Sequence, residues 1–163
     1  KKYSNKTANY FESLGIKKGD TVMLILRRHY QFWISIYALH KIGAVAIPAT
    51  HLLTKKDIIF RCQSADVKMI ICSDKGEIRQ HVEDSKPECA TLTACCILGD
   101  EKFDGWYNFD IEIQSESTEF ARPSGDEATH NDDPMLIYFT STVHISCKLF
   151  DFLGSLSFAL YLP

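Results

Sequence analysis

The chain has 163 residues, 45% of them hydrophobic and 24% charged, which is ordinary for one soluble globular domain. The formal net charge is −3, and lysine and arginine are spread along the chain. No dense basic stripe is therefore available to neutralise the phosphates of a nucleic acid, and we expect no nucleic-acid partner. Arg27, Arg28 and His29 form the one tight basic cluster, which we interpret as a solvent-exposed loop.

The first elements alternate between helical and strand patterns. Ala8, Phe11 and Leu14 recur at three-residue steps, and this spacing predicts a helix over residues 4–15. The run TVMLIL at residues 21–26 contains no breaker. Such continuous apolarity is typical of a strand that is buried on both faces, as in a parallel sheet.

A second helix is predicted after this strand. Phe32, Ile36 and Leu39 lie on one helical face, and Gly43 ends the helix. Trp33 and Phe32, at helical spacing with Ile36, are expected to belong to the core, and an aromatic substrate box is the alternative. The run AVAIP that follows is a short strand closed by proline.

A third helix and a third strand complete the alternation. Thr54 is a candidate N-cap with Asp57 three residues later, the spacing of a capping box. The run VKMIICS at residues 67–73 predicts the strand. Strand, helix, strand, helix, strand with short connections predicts an α/β layered fold with a largely parallel sheet.

The second half of the chain has weaker patterns. Residues 75–85 predict a helix, residues 90–98 a strand, and residues 103–115 either a helix or an irregular segment. The acidic, turn-rich residues 116–134 predict an exposed loop, and MLIYFT at residues 135–140 a last parallel strand. The apolar end of the chain is too short for a membrane span and contains Asp151, so a buried helix or a foreign sequence from a shifted reading frame is favoured.

Six cysteines and six histidines occur without the spacing of a metal site or a C-x-x-C pair, and we assign no metal ligand. Several cysteines lie in apolar runs and are interpreted as small, reduced hydrophobic residues. The first residues are polar and lack the pattern of a secretory signal. Together these features favour a reducing, cytoplasmic compartment.

Three segments in register carry a resemblance to a known family. They are GIKKGDTVMLIL, YALHKIGAVAIPATHLLTKKDIIFR and DDPMLIYFTS, between residues 15 and 141. In order and spacing they resemble the adenylate-forming enzymes, specifically the AMP-forming acyl-CoA synthetases of the medium-chain or butyrate type. The resemblance covers residues 5–141 and implies a partial N-terminal subdomain of such an enzyme.

The resemblance implies a ligase reaction in two steps. ATP and a short- or medium-chain fatty acid give an acyl-adenylate and pyrophosphate, and coenzyme A then attacks the adenylate; Mg2+ is also required by the intact family. Thr140 and Ser141 match the start of the family's phosphate loop and would donate hydroxyl hydrogen bonds to the ATP phosphates. The alternative is that both are strand-end residues with local hydrogen bonds.

The resemblance breaks after Ser141. The two glycine positions of the family's phosphate loop hold Thr142 and Ile145, and a β-branched side chain obstructs a tight phosphate cradle. The family's adenine, ribose, magnesium and catalytic-lysine segments would all lie further along. We therefore expect a synthetase subdomain at residues 1–141 and a divergent apolar tail at residues 142–163. We assign no catalytic residue and expect the chain to be inactive alone.

Two alternatives stay open. The first is a non-catalytic interaction module that pairs with or regulates an intact synthetase, since an exposed apolar tail would seek a partner. The second is an independent α/β nucleotide binder, although the chain has neither G-x-G-x-x-G nor G-x-x-x-x-G-K-[ST].

Overall fold

The computed structural model describes residues 1–139 and, as backbone, the strand at residues 147–149. The helices are α1 (Lys2–Ser13), α2 (Gln31–Ile42), α3 (Lys55–Ser64), α4 (Ile78–Ser85) and α5 (Phe109–Glu112). The strands are β1 (Thr21–Ile25), β2 (Val45–Pro48), β3 (Val67–Ser73), β4 (Ala94–Leu98), β5 (Tyr107–Asn108), β6 (Ile137–Phe139) and β7 (Cys147–Leu149).

The first five strands form one parallel sheet in the order β2-β1-β3-β4-β5. Parallel neighbours need crossover connections, and helices α2, α3 and α4 supply them between consecutive strands. The α/β fold with a largely parallel sheet is therefore confirmed.

Helices cover both faces of the sheet. On one face α1 and α2 pack Phe11 and Leu39 against Leu24 of β1, and Phe109 of α5 joins this core. On the other face α3 and α4 pack against alternate strand residues such as Met23. Because successive strand side chains point to opposite faces, β1 is buried on both sides, as its continuous apolar run predicts.

The limits predicted for α2 are confirmed, but the predicted burial of Trp33 is not. Leu39 is fully buried, Phe32 and Ile36 pack against the core, and Gly43 ends the helix at φ +73°. Trp33 is 64% exposed, so its assignment to the core is wrong. One residue rotates a helix by about 100°, which turns Trp33 away from the face that Phe32 shares with Leu39.

The capping box of α3 is confirmed in detail. The hydroxyl of Thr54 accepts from the backbone N–H of Asp57, and Asp57 Oδ2 accepts from the backbone N–H of Thr54 at 2.9 Å. These two bonds satisfy N–H groups that the first turn of a helix leaves without intrahelical partners.

The middle of the chain also follows its pattern. The predicted helix at residues 75–85 and strand at residues 90–98 are observed as α4 and β4. The ambiguous residues 103–115 contain the two-residue strand β5 and the short helix α5, whose first turn is capped by Asn108. Residues 116–136 are largely irregular and exposed, with one 3₁₀ turn at Gly125–Glu127.

Strand β6 differs from the prediction in its pairing. It forms an antiparallel ladder with β7, and its parallel contact with the main sheet is a single bridge between Leu136 and Ala46. The backbone N–H of Ala46 donates to the carbonyl of Met135 at 3.0 Å, which fixes the start of β6 beside β2.

Five cysteines lie in the described part of the chain, and all are buried free thiols, as predicted. Burial raises the pKa of the Cys95 thiol to about 12 and also raises the pKa of the other four. Among the helices that the structure describes, none combines the length and apolarity needed to cross a bilayer.

Candidate functional site

The carboxyl ends of the strands define the first candidate site. Ligands of open α/β sheets bind at this edge, where loops leave the strands. Strand β6 lies beside β2 and ends at Phe139. The predicted phosphate-contacting residues Thr140 and Ser141 follow directly in sequence but lie outside the described residues, so their role stays a prediction.

Side chains from α3 hold the end of β6. The ring of Phe139 packs edge-on against Phe60, with ring centroids 5.9 Å apart, and the guanidinium carbon of Arg61 lies 5.3 Å from the Phe139 centroid. Burial is the main reason that the pKa of Arg61 is lowered, and its Nη1 has no hydrogen-bond partner among the described residues. A half-buried cation whose Nη1 atom is buried therefore lies beside the strand that leads to Thr140.

The basic cluster lies at the same edge. Arg27 and Arg28 are exposed in the turn that follows β1, which confirms their interpretation as a solvated loop. Arg27 adopts φ +39°, an uncommon conformation for a residue other than glycine.

The described residues offer little to a metal ion. No group of three or more histidine, cysteine, aspartate or glutamate side chains in this part of the chain could hold one. We assign no residue of this part to magnesium or to coenzyme A.

Sequence reasoning missed a second candidate site at the opposite edge of the sheet. We call it the amino-edge cavity: it has a volume of about 640 Å³ and is lined by Asn5, Lys41, Arg122 and their neighbours. These residues belong to α1, to the last turn of α2 and to the long irregular segment. No local pattern could have found them, because only the fold brings together residues more than 80 positions apart.

Comparison with known proteins identifies the family of the chain. The family model described as AMP-binding enzyme matches residues 1–142. Acyl-coenzyme A synthetase ACSM5, mitochondrial, of Rattus norvegicus is 38% identical over 141 residues, covering 86% of this chain and 23% of the relative. ACSM4, mitochondrial, of Mus musculus is 35% identical over 147 residues, covering 90% and 24%. The chain thus spans about a quarter of the length of these curated relatives.

Solved structures match the fold. The anthranilate CoA ligase AuaEII in complex with anthranoyl-AMP superposes with a TM-score of 0.79 at 18% identity, covering 86% of this chain and 26% of that one. An acyl-CoA synthetase of Brucella canis gives 0.78 at 19% identity, covering 92% and 26%. The resemblance read from the three sequence segments is confirmed: the chain belongs to the AMP-binding enzyme family and is similar to the N-terminal region of its acyl-CoA synthetases.

Proposed function

We propose that residues 1–141 are the N-terminal part of an AMP-forming acyl-CoA synthetase that activates a short- or medium-chain fatty acid with ATP. We propose further that residues 142–163 are a divergent segment, and that the 163-residue chain does not complete the reaction alone. The observation that carries this function is the position of β6, which lies beside β2 and ends at the residue before Thr140.

In this proposal the fold positions the hydroxyl groups of Thr140 and Ser141. Thr140 and Ser141 donate to phosphate oxygens as negative charge moves onto pyrophosphate, and rigid placement of such donors lowers the barrier. The packing of Phe139 on Phe60 supports a fixed position for the end of β6, from which Thr140 follows. Thr142 and Ile145 at the family's glycine positions oppose a closed phosphate cradle and support inactivity. ATP, magnesium and coenzyme A are included in the proposal only because the family is known to use them.

The cellular compartment is a separate proposal. Five buried free thiols support a reducing environment, and the cytoplasm is the compartment we propose. The relatives ACSM5 and ACSM4 carry the word mitochondrial in their names. Fractionation of cells that express the natural protein distinguishes the two locations.

Two measurements test the enzymatic proposal. The purified chain, given ATP, Mg2+ and butyrate or octanoate, is expected to release no pyrophosphate above background. A chimera joining residues 1–141 to the part of rat ACSM5 that follows its matched segment is expected to be active. Within the chimera, Thr140→Ala and Ser141→Ala should each lower turnover by about 100-fold, the usual effect of losing one charge-stabilising donor.

The matched control is Thr118→Ala, which removes the same hydroxyl from the exposed irregular segment and should leave turnover unchanged. Turnover by the unmodified chain would contradict inactivity. A folded chimera that stays inactive, or one that is unaffected by Thr140→Ala and Ser141→Ala, would contradict the assigned function.

A second candidate function is an interaction module that binds an intact synthetase. The observation that favours it is an aromatic stripe formed by α2 and its N-cap residue: Tyr30, Trp33 and Tyr37 are 61%, 64% and 63% exposed at i, i+3 and i+7 spacing. Exposed aromatic clusters are frequent at protein interfaces.

Size-exclusion chromatography and calorimetry with intact ACSM5 test this candidate. Replacing Trp33 and Tyr37 by serine should abolish association, whereas Leu52→Ser, at a residue that is 74% exposed outside the stripe, should not. Equal association of all variants, or none by the unmodified chain, would exclude the stripe as this interface.

A further inference from the structure

The amino-edge cavity has the dimensions of a small-molecule site. Its volume of about 640 Å³ lies within the range of roughly 300–1,000 Å³ that is usual for such sites. Lys41 belongs to the last turn of α2, which leads into the amino end of β2. The cavity is therefore at the opposite end of the sheet from the carboxyl end of β6 and is separate from the proposed phosphate site.

The charge around the cavity is mainly positive. Lys1, Lys41 and Arg122 line it together with one carboxylate, Glu119. Within the described residues, none of the three cations forms an ion pair. The pKa of Lys41 is lowered first by burial and then by the charge of Lys1, as expected where positive charges face one another without a counterion.

Lys41 is held in place by neutral groups. Its ammonium donates to Ser4 Oγ at 2.8 Å and to Asn5 Oδ1 at 2.5 Å. Asn5 is buried, and its amide nitrogen donates to the carbonyl of Thr118 at 2.7 Å. An ammonium has three N–H donors, so one donor and the full charge of Lys41 stay available to an anion.

His40, the residue before Lys41 in α2, carries a buried polar atom. The residue lines the cavity, and its Nε2 is buried without a hydrogen-bond partner among the described residues. Burial lowers the pKa of His40, while a hydrogen bond to the backbone of Met135 opposes this shift. Because solvent does not reach this atom, we assign it no contact with a ligand in the cavity.

Two aromatic rings complete the lining. Tyr37 is largely exposed, and Phe120 is partly buried against the core on the sheet face that α1 and α2 cover. A flat apolar group between them would cover surface that water now contacts. The cavity thus combines an uncompensated positive end with an aromatic wall.

We propose that the amino-edge cavity binds a small organic anion, with its carboxylate or phosphate between Lys41 and Arg122 and its apolar body against Tyr37 and Phe120. This binding site is independent of the proposed synthetase function. It would give the chain a ligand at a position remote from the adenylation chemistry.

The test is calorimetric titration of the full chain, at low ionic strength, with benzoate, phenyl phosphate and the uncharged benzamide. We expect saturable binding of at least one anion with a Kd on the order of 1 mM or tighter, and benzamide at least about 10-fold weaker. The two anions show whether carboxylate or phosphate is preferred.

Variants assign the binding to this cavity. Arg122→Gln and Lys41→Met should each weaken the anion by about 5-fold or more, and Glu119→Gln should strengthen it, since a like charge is removed. The control Lys56→Gln changes an exposed lysine on α3 and should have no effect. If Lys41→Met unfolds, the two exposed positions, Arg122 and Glu119, decide the outcome.

The proposal is overturned if neither anion saturates below about 20 mM, a concentration at which even weak specific sites fill. It is equally overturned if benzamide binds as tightly as benzoate. Binding that is unchanged by Arg122→Gln and Glu119→Gln would place the anion elsewhere and would also overturn it.

Discussion

Gly43→Ala is expected to destabilise the chain through two separable effects. The residue ends α2 at φ +73°, where a non-glycine residue costs about 1–2 kcal/mol. A Cβ atom would also lie 2.9 Å from Cγ of Lys18 and 3.3 Å from Oγ1 of Thr129. The first distance is shorter than real Cβ contacts, so the Lys18 side chain must move.

Movement of the Lys18 side chain would disturb its hydrogen bonds. Its ammonium donates to the carbonyl of Ala128 at 2.7 Å and to that of Asp126 at 3.1 Å, which connects the irregular segment to the turn before β1. Disturbing one such charged hydrogen bond costs about 1 kcal/mol or somewhat more. The total expected loss in the free energy of unfolding is therefore about 2–3 kcal/mol.

Gly19→Ala is the matched control. Gly19 has φ +82°, but nothing lies within 4 Å of an added Cβ, so only the backbone term applies. Urea denaturation of the three chains should show Gly43→Ala about 1 kcal/mol less stable than Gly19→Ala, with unchanged dependence on urea concentration. Lys18→Ala removes the obstructing Cγ and should couple favourably with Gly43→Ala by about 0.5 kcal/mol or more.

The result that would refute this reasoning is equal destabilisation by the two glycine substitutions. Additivity of Lys18→Ala and Gly43→Ala would lead to the same conclusion. Either outcome would mean that the Lys18 side chain rearranges without loss and that the contact at Gly43 does not constrain the irregular segment.

Three further outcomes are expected. Thr54→Ala should lower the free energy of unfolding by about 1 kcal/mol at neutral pH. Hydrogen bonds from Thr54 hold the pKa of Asp57 below its ordinary value, so this stability is present above about pH 4 and lost as the pH falls. In urea melts, the difference in the free energy of unfolding between the unmodified chain and Thr54→Ala should therefore be smaller at about pH 2.5 than at pH 7. An equal difference at the two pH values contradicts the assignment. In a Cys147→Ser chain, the five buried thiols should react with a disulfide reagent only as the protein unfolds, and rapid labelling of the native chain would argue against their burial. Removing residues 142–163 should lower the Tm by less than about 5 °C, and a larger drop would mean that this segment, through the pairing of β7 with β6, is part of the fold.

Local patterns predicted most of the elements. The runs that became β1, β2, β3 and β4 are mostly apolar, and short apolar runs between amphipathic helices are sufficient to indicate a parallel sheet. The capping box at Thr54 was readable because both partners lie within four residues of one another. The prediction for Trp33 was wrong because it grouped two adjacent aromatic residues, although a step of about 100° separates Trp33 from the face that Phe32 shares with Leu39.

The sequence by itself determined the class of fold and the family, because helix and strand patterns and each of the three family segments are runs of neighbouring residues. The alteration of the family's phosphate loop after Ser141 stays a prediction. The order of the strands, the placing of β6 beside β2 and the amino-edge cavity depended on the tertiary structure. Lys41 meets Asn5 across 36 residues, and Asn5 meets Thr118 across 113. Contacts at such separations arise from packing two helices and a long irregular segment on one sheet face, and no local periodicity encodes them.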